Sequence, residues 1–390
     1  MKEINKAFFD EIHDRRIQGD IKYEPVDGVK DLIPMWIADM DFKCPPAIGQ
    51  AIKKAADREL FGYMAPDDRY YKAVTDWYER RFGWHIEKEE ILPMPGVVFA
   101  VACVIKALTE PGDKVLICEP VYYPFRMMIE ENGRQTEVSE LVIKDGRYEM
   151  DFEDLEKKIS RDQVKLFILC SPHNPVSRVW TKDELSKISE ICLKHGVPVI
   201  SDEIHSDLIY SGIKHTPFAL ISEEMAENTV TCTAPTKTFN MAGIQASNVI
   251  IKNRDIRNKV RKALEATGYF EPNYMGITAL TAAYEYGEEW LEELIRYLEG
   301  NIRIVREKLK ETGGKIRLTE PEGTYLLWLD CRGMNMDDKE LDDFFLYKTG
   351  IRFDAGTMFG SGGNGFTRMN IACPESVLTE ALDRIINAID

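Results

Sequence analysis

No stretch of this 390-residue chain is apolar for long enough to cross a membrane, and no pair of its cysteines is spaced for a metal or a redox couple. The eight cysteines, at 44, 103, 118, 170, 192, 232, 331 and 373, stand singly. They are expected to be reduced, most of them serving as small core hydrophobes, and no metal site is expected. Positive charge is also scarce: 50 Lys and Arg face 66 Asp and Glu, a formal net charge of -16. That balance disfavours nucleic acid and anionic membranes as partners, since both are polyanions. The acidic residues are spread along segments such as "YEYGEEWLEELIRYLEGN" and read as a solvated surface. Internal repeats and low-complexity tracts are missing. The start, "MKEINKAFFDEIHDRRIQGD", carries charge throughout and has no apolar segment of signal-peptide length, so a cytoplasmic protein is expected.

What is present is the makings of a large core: 44% of residues are hydrophobic. Between about residues 90 and 250, short apolar runs ("DKVLICEP", "VKLFILCSP", "VPVISDEI", "ENTVTCT", "SNVIIK") alternate with helical patterns. In "GVVFAVACVIKAL", Val97, Ala100, Val101, Val104, Ile105 and Leu108 recur at helical spacing. This alternation predicts an α/β fold, a mostly parallel sheet sandwiched by helices. From about 286 a long acidic helix precedes "GKIRLTEPEGTYLLWLD", "GIRFDAG" and "FTRMNIA", which predict a smaller α+β domain. The expected division is a large domain over 46–285 and a small one over 286–390, with 1–45 joining the small domain.

In such sheets ligands bind beyond the carboxyl ends of strands, so the polar residues after each apolar run are the candidates. Lys237 follows "VTCT" in "APTKTFNMAG"; it is either a surface lysine or an amine activated by desolvation to attack a carbonyl. Asp202 ends "VPVIS", as a turn cap or as an acid that keeps a heterocyclic nitrogen protonated. His205, three residues on, is a structural histidine or a buttress for the same ring. Asn174, in "SPHNPVSRVW", is part of a plain turn or an amide donor. Tyr122 or Tyr123, in "EPVYYPF", packs in a turn or stacks on a planar ring. Gly96 opens a helix whose first amides, at Val97 and Val98, suit a phosphate, as any helix start does. Arg368, after the glycine run "FGSGGNG", is a surface arginine or a two-pronged carboxylate binder. Each feature alone has an ordinary reading; their joint order favours a site.

That order resembles the fold type I pyridoxal-phosphate enzymes of the class I/II aminotransferase superfamily over essentially the whole chain. Within it, "MWIADMDF" (35–42), "FGYM", "DEIHSDL" and "TKTFNMAG" resemble the bacterial cystathionine β-lyase, or carbon–sulfur lyase, group. The resemblance implies the sheet of that fold, of seven-stranded type, and pyridoxal 5'-phosphate as cofactor. It implies that Lys237 is the Schiff-base lysine, Asp202 the partner of the pyridine nitrogen, and Tyr122 the ring-stacking and catalytic aromatic. Asn174 would donate to the ring hydroxyl oxygen, and His205 stands where many aminotransferases carry tyrosine. Gly96, Val97, Val98 and Thr236 would hold the phosphate, and Tyr63 would reach the phosphate of a second subunit in a homodimer with shared sites. Arg368, with Asn174, would bind the α-carboxylate of a small amino-acid substrate. Two positions depart from the pattern: Gln245 stands where many members carry a phosphate-binding arginine, and Ser177 where a glycine usually follows the Asn-Pro pair.

The activity implied is β-elimination from L-cystathionine or a related cysteine S-conjugate, giving pyruvate, ammonia and a thiol. The alternatives are an amino-acid aminotransferase, which shares the early steps, and a cofactor-binding regulator acting through a protein partner.

Overall fold

The computed structural model describes residues 4–16 and 19–389. Its centre is an eight-stranded sheet in the order Ile91–Met94, Ser247–Ile250, Thr229–Thr233, Val199–Asp202, Val164–Cys170, Lys114–Glu119, Gln135–Lys144 and Arg147–Met150. Ser247–Ile250 and the edge strand Arg147–Met150 run antiparallel to the rest. That edge strand folds back on Gln135–Lys144 as a hairpin and adds one strand to the expected seven.

The inner strands are apolar on both faces because helices cover both. Val115, Ile117, Leu166 and Ile168 enter one core with Val101 and Val104 of helix Val97–Leu108 and Val260 of helix Arg254–Glu265. Leu116, Cys118, Phe167 and Leu169 enter the other with Leu155 and with Leu185, Ile188 and Cys192 of helix Lys182–His195. The last helix is fixed at both ends: Thr181 and Glu184 form a capping box, and Gly196 closes it at φ 64°. All eight cysteines are free thiols, and all but Cys44 are buried.

A second, four-stranded antiparallel sheet, ordered Arg317–Leu318, Leu326–Asp330, Phe366–Asn370, Asp354–Ala355, lies in the C-terminal part beside helices Glu288–Lys310 and Glu375–Ile389. Ile33–Pro34 pairs in parallel with Ile351–Arg352 and ties the N-terminal segment to this part. A third core, with Trp77, Phe239, Tyr284, Trp290 and Leu326, joins the two parts. Among the described residues no helix is long and apolar enough to cross a membrane.

Candidate active site

Four neighbouring parallel strands end at one rim, and each delivers a polar group there. Strand Val199–Asp202 ends in Asp202, Val164–Cys170 leads to Asn174, Lys114–Glu119 to Tyr122, and Thr229–Thr233 to Thr236 and Lys237. These residues, with Gly96, Val97, Val98, His205 and Gln245, line one cavity of about 430 Å³. Arg368 is not part of that lining; it stands behind Asn174, whose Oδ1 accepts from its Nη1 at 2.9 Å. Tyr63 lies outside the cavity and is 99% exposed.

Enclosure sets the charges. Burial lowers Lys237 to about 8, with nearby Arg368 acting in the same direction and Asp39 opposing. Burial pushes Asp202 up to about 7: its Oδ1 accepts only the Ile204 amide, at 3.1 Å, and no cation pairs with it among the described residues. Burial also lowers His205 to about 3, helped by Lys237 and Arg368, so its ring is neutral, and its Nδ1 has no partner. A buried carboxylate with no ion-pair partner among the described residues, in the field of an amine lowered to about 8, is a donor set suited to a protonated heterocycle with a carbonyl substituent.

At the other end of the cavity, helix Val97–Leu108 begins after Gly96 with no side chain capping it, so its first amides are open to an anion. Thr236 adds a hydroxyl. The residues present therefore fit pyridoxal phosphate: Asp202 and His205 would serve its ring, and the open amides with Thr236 its phosphate. Gln245 also lines the cavity, and among the described residues Lys237 is the one Lys or Arg in its lining.

The structure adds main-chain partners that side-chain reasoning did not find. "MWIADMDF" crosses the site with its carbonyls turned inward. Ala38 O accepts from Lys237 Nζ at 2.6 Å and from Tyr325 Oη at 2.9 Å, and Trp36 O accepts from Arg368 Nη2 at 3.0 Å. Asn370 Nδ2 donates to Ile37 O and Asp39 O, both at 2.6 Å. Asp39 and Asp41 hold this segment through Arg15 Nη2 at 2.7 Å, Arg15 Nη1 at 2.8 Å and Lys22 Nζ at 3.0 Å. Arg368 also pairs with the buried carboxylate of Asp354, while its Nε is buried and unpartnered. A carbonyl oxygen has no sequence signature. The quoted motif was nevertheless the signal available, as a polar-flanked run with no helical or strand period.

The family model for aminotransferase class I and II matches residues 30–385. The chain is similar to cystathionine beta-lyase PatB of Bacillus subtilis (strain 168), 46% identical over 93% of this chain and 94% of the relative. Its structure is similar to cystalysin of Treponema denticola, which contains a pyridoxal 5'-phosphate cofactor, with a TM-score of 0.94 and 42% identity over 97% of this chain and 98% of that one. It is similar also to a pyridoxal-phosphate-bound C-S lyase of Staphylococcus hominis in its external aldimine form, with a TM-score of 0.91 and 32% identity over 98% of both chains. With a cavity whose charges suit that cofactor, the chain belongs to the class I and II aminotransferase family, as an enzyme that uses pyridoxal 5'-phosphate.

Proposed function

We propose that the protein cleaves the carbon–sulfur bond of L-cystathionine or a related cysteine S-conjugate by β-elimination, releasing pyruvate, ammonia and a thiol. The observation that carries this reading is Lys237, held near 8 beside the uncompensated Asp202, with Arg368 and its open Nε across Asn174. The resemblance to a cystathionine beta-lyase and to C-S lyases supports it.

When bound, pyridoxal phosphate supplies an electron sink for the pair left behind as the Cα proton departs. Asp202, ionised once a cationic N–H faces it, holds that proton on the ring nitrogen. Arg368 takes the α-carboxylate, and Asn174 and the Trp36 carbonyl fix the guanidinium plane. Displaced by the substrate amine, Lys237, lowered to about 8 by burial, gains a large neutral fraction as pH rises through that value and accepts the Cα proton at Nζ. The Ala38 carbonyl and the Tyr325 hydroxyl beside it set the direction of that nitrogen. The β-carbon–sulfur bond then breaks, with both electrons leaving on sulfur, which takes up a proton as the thiol; the released 2-aminoacrylate consumes one water to give pyruvate and ammonia. His205, neutral, flanks the ring without adding charge, and Tyr122 covers it.

Three further assignments belong to this reading. Residues 46–285 form the cofactor-binding domain and 286–390 the small domain, which 1–45 joins. The active assembly is a homodimer in which Tyr63 reaches the neighbouring subunit's phosphate; Leu60, Phe61, Tyr63 and Met64 on one exposed stretch support this. The enzyme works in the cytoplasm.

The test is to incubate cofactor-loaded protein with L-cystathionine and no keto acid while following pyruvate and free thiol. Equal amounts of both are expected. Conversion only of an amino-donor and keto-acid pair would replace this reading with aminotransfer.

A further inference from the structure

Ser177, one of the two departures from the family pattern, lies at φ 57°, in the left-handed region where glycine is the usual residue. Directly opposite, Thr324 lies at φ 64°, a conformation that β-branched residues seldom adopt. Both are buried. Their hydroxyls meet at 3.3 Å, and Ser177 Oγ donates to the Leu326 carbonyl. The Thr324 hydroxyl lies 3.2 Å from the same Leu326 carbonyl, to which it can donate, and its own oxygen accepts from Leu326 N at 3.1 Å. Two left-handed residues from distant parts of the chain, bonded through their side chains, are held there by their surroundings rather than by local preference.

The surroundings show what the pair holds. Ser177 N donates to His173 O at 2.8 Å, closing the turn that carries Asn174, and Ser177 O accepts from Glu322 N at 2.9 Å. Glu322 Oε2 accepts from Arg178 Nε at 2.9 Å and Val179 N at 2.8 Å, so a part-buried ion pair flanks the contact. On the other side, Leu326 begins the strand Leu326–Asp330, in which Trp328 sits opposite Arg368. The pair is therefore the bolt between the turn bearing Asn174 and the sheet bearing Arg368. These two side chains come from opposite sides of this junction and meet at 2.9 Å.

We infer that Ser177 and Thr324 are positioning residues that set the Asn174–Arg368 contact, and through it the grip on the substrate α-carboxylate. A glycine at 177 relieves the backbone but removes the bolt. The inference rests on the reading of Arg368 as the carboxylate binder.

The experiment uses the cofactor-loaded enzyme and its Ser177→Gly, Thr324→Ala, Thr324→Ser and Arg368→Lys variants. For each, KM and kcat are measured with L-cystathionine, and calorimetric affinities with L-alanine, which has the α-carboxylate but no β leaving group, and ethylamine, which lacks the carboxylate. Ser177→Gly and Thr324→Ala are expected to raise KM and weaken L-alanine about fivefold, the scale of one net hydrogen bond, with kcat and ethylamine affinity little changed. Thr324→Ser keeps the hydroxyl and is expected to stay within roughly twofold of the parent. If Arg368→Lys weakens L-alanine while Ser177→Gly and Thr324→Ala do not, the bolt positions nothing and the inference falls alone. Parallel loss of L-alanine and ethylamine affinity would make it a fold support and overturn it too. If Arg368→Lys leaves L-alanine binding intact, the carboxylate reading itself is wrong.

Discussion

The sharpest consequence at the scale of single residues is that Asp202 and Lys237 each oppose folding until the cofactor arrives. Asp202 is raised to about 7 from an ordinary value near 3.9. Between these values the folded cofactor-free protein binds more protons than the unfolded chain, so stability falls as pH rises through that window. Asp202→Asn removes the buried charge. The cofactor-free variant is therefore expected to melt about 2–5 °C above the parent at pH 8, with the gap closing as pH falls toward 4. Thermal melts across pH check this; a gap independent of pH would mean that Asp202 is not the charged group. With cofactor present the order is expected to reverse, since in the proposed role Asp202 holds the ring nitrogen's proton and asparagine would not.

Lys237→Ala is expected to cut elimination by at least about a hundredfold while leaving melting of the cofactor-free protein unchanged or slightly raised, as a desolvated amine is lost. Near-normal pyruvate release would end its assignment as base. These two residues and Asn174 were legible because, although each alone has an ordinary reading, they follow successive strand ends in one order that points to a shared site. Asp354 and the carbonyls of Trp36 and Ala38 were not, since the partner of Arg368 is set by antiparallel pairing of Asp354 with Arg368.

At the scale of elements, the helix start at Gly96 can be tested apart from the chemistry. Gly96 has φ 178°, extended backbone open to any residue, and a Cβ built there meets nothing within 4 Å. The protein's own fold therefore does not require glycine, so a substitution here tests the proposed phosphate site at the Val97 and Val98 amides by itself. Gly96→Ala is expected to leave the melting temperature of the cofactor-free protein within about 1 °C of the parent, and to weaken cofactor binding about tenfold in a fluorescence titration. Unchanged cofactor affinity would move the phosphate elsewhere. The five inner apolar runs appeared as strands because burial on both faces leaves them continuous. Ile91–Met94, Gln135–Lys144 and Arg147–Met150 did not stand out. The first contains Pro93, and the hairpin carries Glu137, Glu140, Lys144, Arg147 and Glu149 along a sheet edge, where charge is tolerated and the apolar signal is diluted.

For the whole molecule, the stretch around Tyr63 gives the decisive experiment. Phe61 is 64% exposed, Leu60 67% and Tyr63 99%, a run of exposed apolar side chains of the kind that suits the proposed contact with a second subunit. If each cavity is completed by its neighbour's Tyr63, then Tyr63→Ala and Lys237→Ala damage different subunits of one site. In a heterodimer of the two variants, one cavity receives both defects and the other neither. Mixing the two weakly active proteins, with exchange of subunits, is then expected to restore elimination to about a quarter of the parent, since half of randomly paired dimers carry one intact site out of two. A mixture no more active than the average of its components would place Tyr63 in its own subunit's chemistry, or outside catalysis altogether. Giving the two variants different affinity tags and isolating the doubly tagged dimer separates that outcome from a failure to exchange, because the recovered activity must rise with the fraction of mixed dimer and not with total protein.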